Sequence, residues 1–198
     1  MRKILLTACV LGTALMAQSP SPGGGGQSPS TPPTMPESSA GSATTPGPTA
    51  ESMPRKVDDK KFVKDSALGG MTEVELGKLA AEKASSDAVK QFGKRMVDDH
   101  SKANDQLKEI AGKSNIEVPA ALDSKHQSRV DKLAKLSGPE FDKAYLKDQV
   151  KDHERDVDDF KSEAQGGSDP NVKQFALQTL PTLQEHLTAV KDLKKGTK

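Results

Sequence analysis

The chain has 198 residues, with 29 Lys and Arg against 28 Asp and Glu, a net charge of +1, one Cys and no Trp. No basic stripe interleaved with stacking aromatics exists, which argues against nucleic acid as a partner. Aromatics are only 3% of residues, so any core must be built from Leu, Val, Ala, Met and a few Phe, which suits helices better than a β-sandwich.

Arg2 and Lys3 precede an apolar run over residues 4–16, followed by the small residue Ala17. The run falls short of the about 20 residues a membrane helix needs, so residues 1–17 read as a signal peptide. Leu6-Thr7-Ala8-Cys9 spells a lipobox, but Cys9 stands too early in the run, so lipid anchoring there is disfavoured. An exported chain is expected, periplasmic or extracellular, with outer-membrane association left open. Removing the signal would leave no thiol, so stability would rest on packing alone. Residues 18–57 are rich in Gln, Ser, Pro, Gly and Thr and nearly devoid of large apolar side chains. They cannot offset the entropy of ordering and read as a disordered tether. The remaining 58–198 carry 25 Lys and Arg against 26 Asp and Glu, and suffice for one folded domain with a single core.

Within that domain apolar residues recur at helical spacing. The first helix is expected over 58–84, with Phe62, Val63, Leu68, Met71, Glu75, Leu79 and Glu82 on one face and Gly69-Gly70 inside it. Ser85-Ser86 end it and supply the N-cap of a second helix. That helix runs to about Ser114, with Val89, Phe92, Met96, His100, Ala103, Leu107 and Ile110 in one stripe. A short helix over 122–136 follows Pro119, with Leu122, His126, Val130 and Leu133 in phase. Ser137 and Glu140 have capping-box spacing and open a helix striped by Phe141, Tyr145, Gln149 or Val150, His153, Val157, Phe160 and Ala164. Gly166-Gly167 stop it, and Asp169-Pro170 start the last helix with a cap and a proline at its first position. That helix carries Val172, Phe175, Leu183, His186, Leu187, Val190 and Leu193. Two tight turns make two antiparallel pairs, and the long middle connection runs back along the bundle. The expected fold is all-α: a ferritin-like, up-down-down-up four-helix bundle with one extra short helix.

GGMTEVELGKLA (69–80), MVDDH followed by AN (96–104), HQSRVDKLAKLSGPEFDKAYL (126–146), VKDHERDVDDF (150–160) and TLPTLQEHL (179–187) together resemble a family of exported bacterial proteins of unknown function. That family is labelled predicted outer-membrane protein and placed among ferritin-like bundles. The resemblance spans about 58–193 and implies fold and export, with no settled activity. The outer-membrane label fits poorly, because no alternating barrel strands are legible.

His100, His153 and His186 fall on the core stripes of three different helices. With about 1.5 Å of rise per residue, His100 and His153 lie about 22 Å from the end holding the first turn, level with Gly70 and Pro181. Glu75 and His186 come out about 7 Å nearer that end. A layer that gathers histidines, a glycine pair and a mid-helix proline breaks local rules, as functional sites do. The candidate metal ligands are therefore Glu75, His100, His153 and His186, a set suited to Fe, Zn or Cu. A ferritin-like di-iron centre requires Glu-x-x-His, whereas Val97, Val150 and Leu183 stand three residues before these histidines. The competing reading is that each histidine is buried against a neighbour such as Asp99, Asp152 or Gln149 and fixes helix register. Convergence of the rings would favour metal; separate one-to-one hydrogen bonds would favour register.

His126 is expected to cover the bundle, Tyr145 to sit in the core, and Asp98-Asp99, Asp152 and Asp158-Asp159 to face solvent. No nucleophile with a base and no phosphate loop exists, so enzymatic activity is not expected. The sequence reads as an exported, non-enzymatic envelope protein with a structural, stress or interaction role; the alternative is a metal-binding protein using the His/Glu cluster. An envelope protein or a second copy of the chain is the partner left open.

Overall fold

The computed structural model describes residues 57–197. The signal peptide over 1–17 and, apart from Val57, the tether over 18–57 lie outside the described residues. Five helices and no strand occur among the described residues: α1 (Asp59–Lys83), α2 (Asp87–Lys113), α3 (Ser124–Ala134), α4 (Gly138–Gly166) and α5 (Pro170–Gly196).

Side-chain caps start three of them. Asp58 accepts hydrogen bonds from the amides of Lys60 and Lys61, both at 3.1 Å, at the head of α1. Asp123 accepts from His126 N at α3. Asp169 accepts from Asn171 N and Val172 N at α5, with Pro170 first in the helix. The expected serine caps differ: Ser86 and Ser137 occupy the cap positions of α2 and α4, but their side chains accept no hydrogen bond from the helix amides. Asp142 of α4 takes over instead. Its carboxylate accepts from Ser85 N at 3.0 Å, Ser86 N at 2.9 Å and Ser85 Oγ at 2.5 Å, quenching free amides of the α1–α2 turn.

This cap also fixes topology. It places the start of α4 beside the α1–α2 turn, where Ala84 and Gly138 form an isolated bridge. At the opposite end Asp59 accepts from Ser168 N and Asp169 N, both at 2.9 Å, so the α4–α5 turn lies beside the start of α1. Hence α4 runs in the sense of α2, and α5 in the sense of α1. α2 packs on α5, α1 on α4, and α3 bears on α1 and α4. Gly77 and Gly93 let α1 and α2 approach closely: a Cβ on Gly77 would stand 2.6 Å from the Gly93 carbonyl oxygen.

The core has two apolar clusters. One, toward the α1–α2 turn, contains Leu76, Phe92, Met96, Phe141, Tyr145 and Leu146. The other, toward the α4–α5 turn, contains Phe62, Val63, Leu107, Phe160, Phe175 and Leu183. Glu73, Gln149, Asp152, His153, His100 and His186, all buried, come from the stretches of helix between them.

The stripes of α2, α4 and α5 are as expected. That of α1 is as expected only at Phe62, Val63 and Leu68: Gly69, Gly70, Glu73, Leu76, Gly77 and Ala80 are buried with them, whereas Met71, Glu75 and Leu79 are half-buried and Glu82 is exposed. Glycines and a glutamate weaken the apolar signal of the true face, so the larger apolar residues of the adjoining face draw the assignment round the helix.

Candidate metal centre

α2, α4 and α5 each contribute one buried imidazole. His153 and His186 are 0% exposed and His100 is 6%. Ring centroids are 5.8 Å apart for His100–His153, 5.5 Å for His100–His186 and 5.4 Å for His153–His186. Each ring offers one nitrogen, and three such nitrogens lie within 4.8 Å of one another.

Hydrogen bonds assign the protons. His153 Nδ1 stands 3.1 Å from the Gln149 carbonyl oxygen, which can only accept, so Nδ1 carries the hydrogen and Nε2 a lone pair. His186 Nε2 donates to Asp99 Oδ2 at 2.8 Å, leaving its lone pair on Nδ1. Those two freed nitrogens, with His100 Nε2, are buried and have no hydrogen-bond partner. Holding one imidazole nitrogen with a carbonyl or carboxylate, so that the other is ready to ligate, is how metal-binding histidines are oriented.

Burial depresses all three basicities. The His100 imidazole is held well below the usual histidine range by desolvation and by the other two rings. His153 is lowered to about 4, chiefly by desolvation. His186 is also lowered by desolvation, against the opposing pull of Asp99. The rings are neutral at physiological pH, as ligation requires.

The imidazole–metal distance is about 2.0–2.1 Å, which sets nitrogens of a tetrahedral ion about 3.3–3.5 Å apart. A pair at the 4.8 Å limit must close by roughly 1.5 Å to bind, a shift within reach of small side-chain rotations. A cavity of about 390 Å³ between α2 and α5 reaches His100 and His186 and is otherwise lined by residues including Asp99, Lys102, Gln106, Gln178 and Thr182.

Of the sequence candidates, the structure brings His100, His153 and His186 together. Glu75 does not join them. Its carboxylate is 2.7 Å from Lys78 Nζ, and it lines a separate cavity with Met71, Asn104 and Leu122. His186 was placed a turn away by axial rise, yet it meets the others. Helical side chains lean toward their own N-terminus; α5 runs opposite to α2 and α4, so its histidine leans down where theirs lean up. Pro181 is exposed, and Gly70 makes room for Asn104. His126 bonds Asp123 Oδ1 at 2.7 Å, half-buried on α3.

A family model described as Domain of unknown function (DUF4142) matches residues 43–193. The chain belongs to this family. No curated protein matches it. Among solved structures, a DUF305 fragment from Deinococcus radiodurans is similar with a TM-score of 0.60 and 13% identity, covering 69% of this chain and 95% of that one. A DUF305 protein from Streptomyces coelicolor, described as secreted, gives 0.57 and 14% over 68% and 90%. CopM in its Cu(II)-bound form gives 0.61 and 14% over 72% and 99%. At these identities the likeness shows a shared helical fold.

Beside the histidines, this DUF4142 bundle holds a charge network that the sequence did not disclose. Arg129 of α3 reaches Glu73 Oε1 at 2.9 Å, Asp148 Oδ2 at 2.8 Å and Asp152 Oδ2 at 2.8 Å. Gln149 Nε2 donates to Glu73 Oε2 at 2.5 Å, and Arg155 also pairs with Asp152. Asp152 is thus 3% exposed rather than solvated, and Asp99 is engaged by His186 and Arg95. Burial and the neighbouring Asp152 push the Glu73 carboxyl well above the usual range. Against the pull of its own burial, Asp152 is held below it, by hydrogen bonding with Glu73 and the charges of Arg129 and Arg155. Glu73 is in phase with Gly69, Gly70, Leu76 and Ala80; that register was the one available signal. Nothing local marks Arg129 as their partner, since it stands 56 residues from Glu73 in sequence.

Proposed function

We propose that this protein is an exported, non-enzymatic, ferritin-like bundle that holds one transition-metal ion, copper foremost, on His100, His153 and His186. The observation that carries the reading is the set of three buried imidazoles that each leave one ring nitrogen without a partner and together bring one nitrogen apiece within 4.8 Å of the others. An unsatisfied buried acceptor costs about 1–3 kcal/mol, and one ion would satisfy all three. Imidazole suits Cu and Zn as well as Fe, and the Cu(II)-bound form of the similarly folded CopM supports copper. Export rests on the N-terminal pattern, supported by the secreted description of one structural neighbour. Among the described residues no helix is long and apolar enough to cross a membrane. An envelope protein or a second copy remains the proposed partner class.

The register reading has one observation of its own, the His186–Asp99 bond that ties α5 to α2. The His153 bond is to its own helix and fixes no register. The test is metal content of the purified full chain after incubation with Cu, Zn and Fe. The native protein is expected to retain one equivalent, the His100→Ala/His153→Ala protein none, and Glu75→Gln one. A native chain that retains no metal from any of the three would refute the proposal.

A further inference from the structure

We propose that the three-histidine centre keeps a coordination position for a small exogenous anion, which enters through the groove between α2 and α5. This rests on the metal reading above and adds an open position, a route and a ligand class.

The described residues supply three converging ligands and no fourth. Among the described residues the only group of metal-ligating side chains converging within a few ångströms is His100, His153 and His186. The nearest buried carboxylate on α1, that of Glu73, is turned to Arg129 and Gln149. Zinc-type sites with three protein ligands characteristically hold water or substrate in the fourth position.

A groove beside the centre gives the route, while the three unpartnered nitrogens themselves are closed to solvent in the metal-free chain. The cavity of about 390 Å³ is lined by His100 and His186 and lies between their two helices. A water takes about 30 Å³ of liquid volume, so the groove admits larger ligands. Its walls carry donors: Lys102, Gln106, Gln178 and Thr182. Asp99, the carboxylate at its mouth, is already bonded to His186 and Arg95.

Charge gives the ligand class. Three neutral imidazoles leave a divalent ion with its full charge in a desolvated site, where an uncompensated charge is strongly disfavoured. Of the carboxylates nearby, Asp152 is paired with Arg129 and Arg155 and Asp99 with Arg95. A monoanion of halide to small-carboxylate size, met by Lys102 and the amide and hydroxyl donors, completes the coordination and removes one unit of the ion's charge.

The experiment titrates the copper-loaded full chain with azide and follows the azide-to-copper charge-transfer absorption. A saturable band with one equivalent of copper is expected. Thr182→Trp, which fills the groove, should abolish the band with copper retained, and Lys102→Glu should weaken azide on the order of tenfold. If Thr182→Trp fails to fold, Lys102→Glu carries the test alone. Copper retained with no band in the native chain overturns this inference and leaves the metal reading standing. A band unchanged in both variants overturns the route. A native chain that holds no copper, zinc or iron overturns both proposals together.

Discussion

Two polar regions occupy the middle of one bundle and share a face of α4, yet they are finished differently. Around Arg129 every charge finds its partner within the chain: Glu73, Asp148 and Asp152 converge on one guanidinium, and Gln149 donates to Glu73, its own Oε1 alone left without a partner. Around His100, His153 and His186 the inward nitrogens find none. Position 152 belongs to the first region and 153 to the second. A buried polar group is retained either because the fold completes it or because something outside the fold does, and adjacent residues of α4 illustrate both cases.

The comparison implies opposite responses to substitution. Arg129→Met strands buried carboxylates and should lower stability by about 3–5 kcal/mol, read by urea unfolding of the metal-free chain. A loss below about 1 kcal/mol would mean that the carboxylates escape to water, so that the network is not the closed unit described. The same α3 helix should lose protection in hydrogen exchange first, because Arg129 is its charged tie to α1 and α4.

Acid should find the unfinished half. The His153 imidazole titrates near 4 in the folded chain, against about 6.5 unfolded. Between these values the unfolded chain binds protons that the folded chain refuses, so stability present above pH 6.5 drains away as pH falls toward 4. For His153 alone the loss is about 3 kcal/mol. His153→Met should flatten that limb of the pH–stability curve of the metal-free protein. An unchanged limb would place the acid sensitivity elsewhere.

At neutral pH without metal, the same His153→Met change should be nearly silent, within about 1 kcal/mol, because it removes an unsatisfied acceptor in exchange for a polarisable side chain of similar size. A further small, pH-dependent effect is expected at the bundle end. Glu163 is buried with both carboxylate oxygens unpartnered, and burial and Asp59 raise it to about 7. A raised carboxyl contributes fully below its unfolded value and loses that contribution as pH rises through the folded one. Glu163→Gln should therefore stabilise the chain at pH 8 and not at pH 4, by on the order of 1 kcal/mol. Equal shifts at both pH values would contradict the assignment.

The sequence disclosed one of these regions far better than the other. His100, His153 and His186 stand on strongly apolar stripes whose period of 3.6 survives a polar substitution, so their place on the inward faces of three helices was legible before any coordinates. The axial level of His186 was not, because rise per residue ignores the lean of side chains on antiparallel helices. Glu73 was missed in favour of Glu75, since the middle of the buried face of α1 carries Gly69, Gly70, Thr72, Glu73 and Gly77 and shows little hydrophobic contrast. The Arg129–Glu73 tie and the Asp142 cap join residues 56 or more apart in sequence, and no periodicity announces such partners. Helix number, order and caps at Asp169-Pro170 were legible; the cap donated across the bundle by Asp142 was not.

The most direct test of the central claim is the ligand environment of bound metal, read by X-ray absorption on the full chain loaded with one equivalent of copper. The account predicts three imidazole nitrogens in the inner shell, and a signal that vanishes in the His100→Ala/His153→Ala/His186→Ala chain. Copper bound through other groups, with a spectrum unchanged in that triple variant, would contradict it.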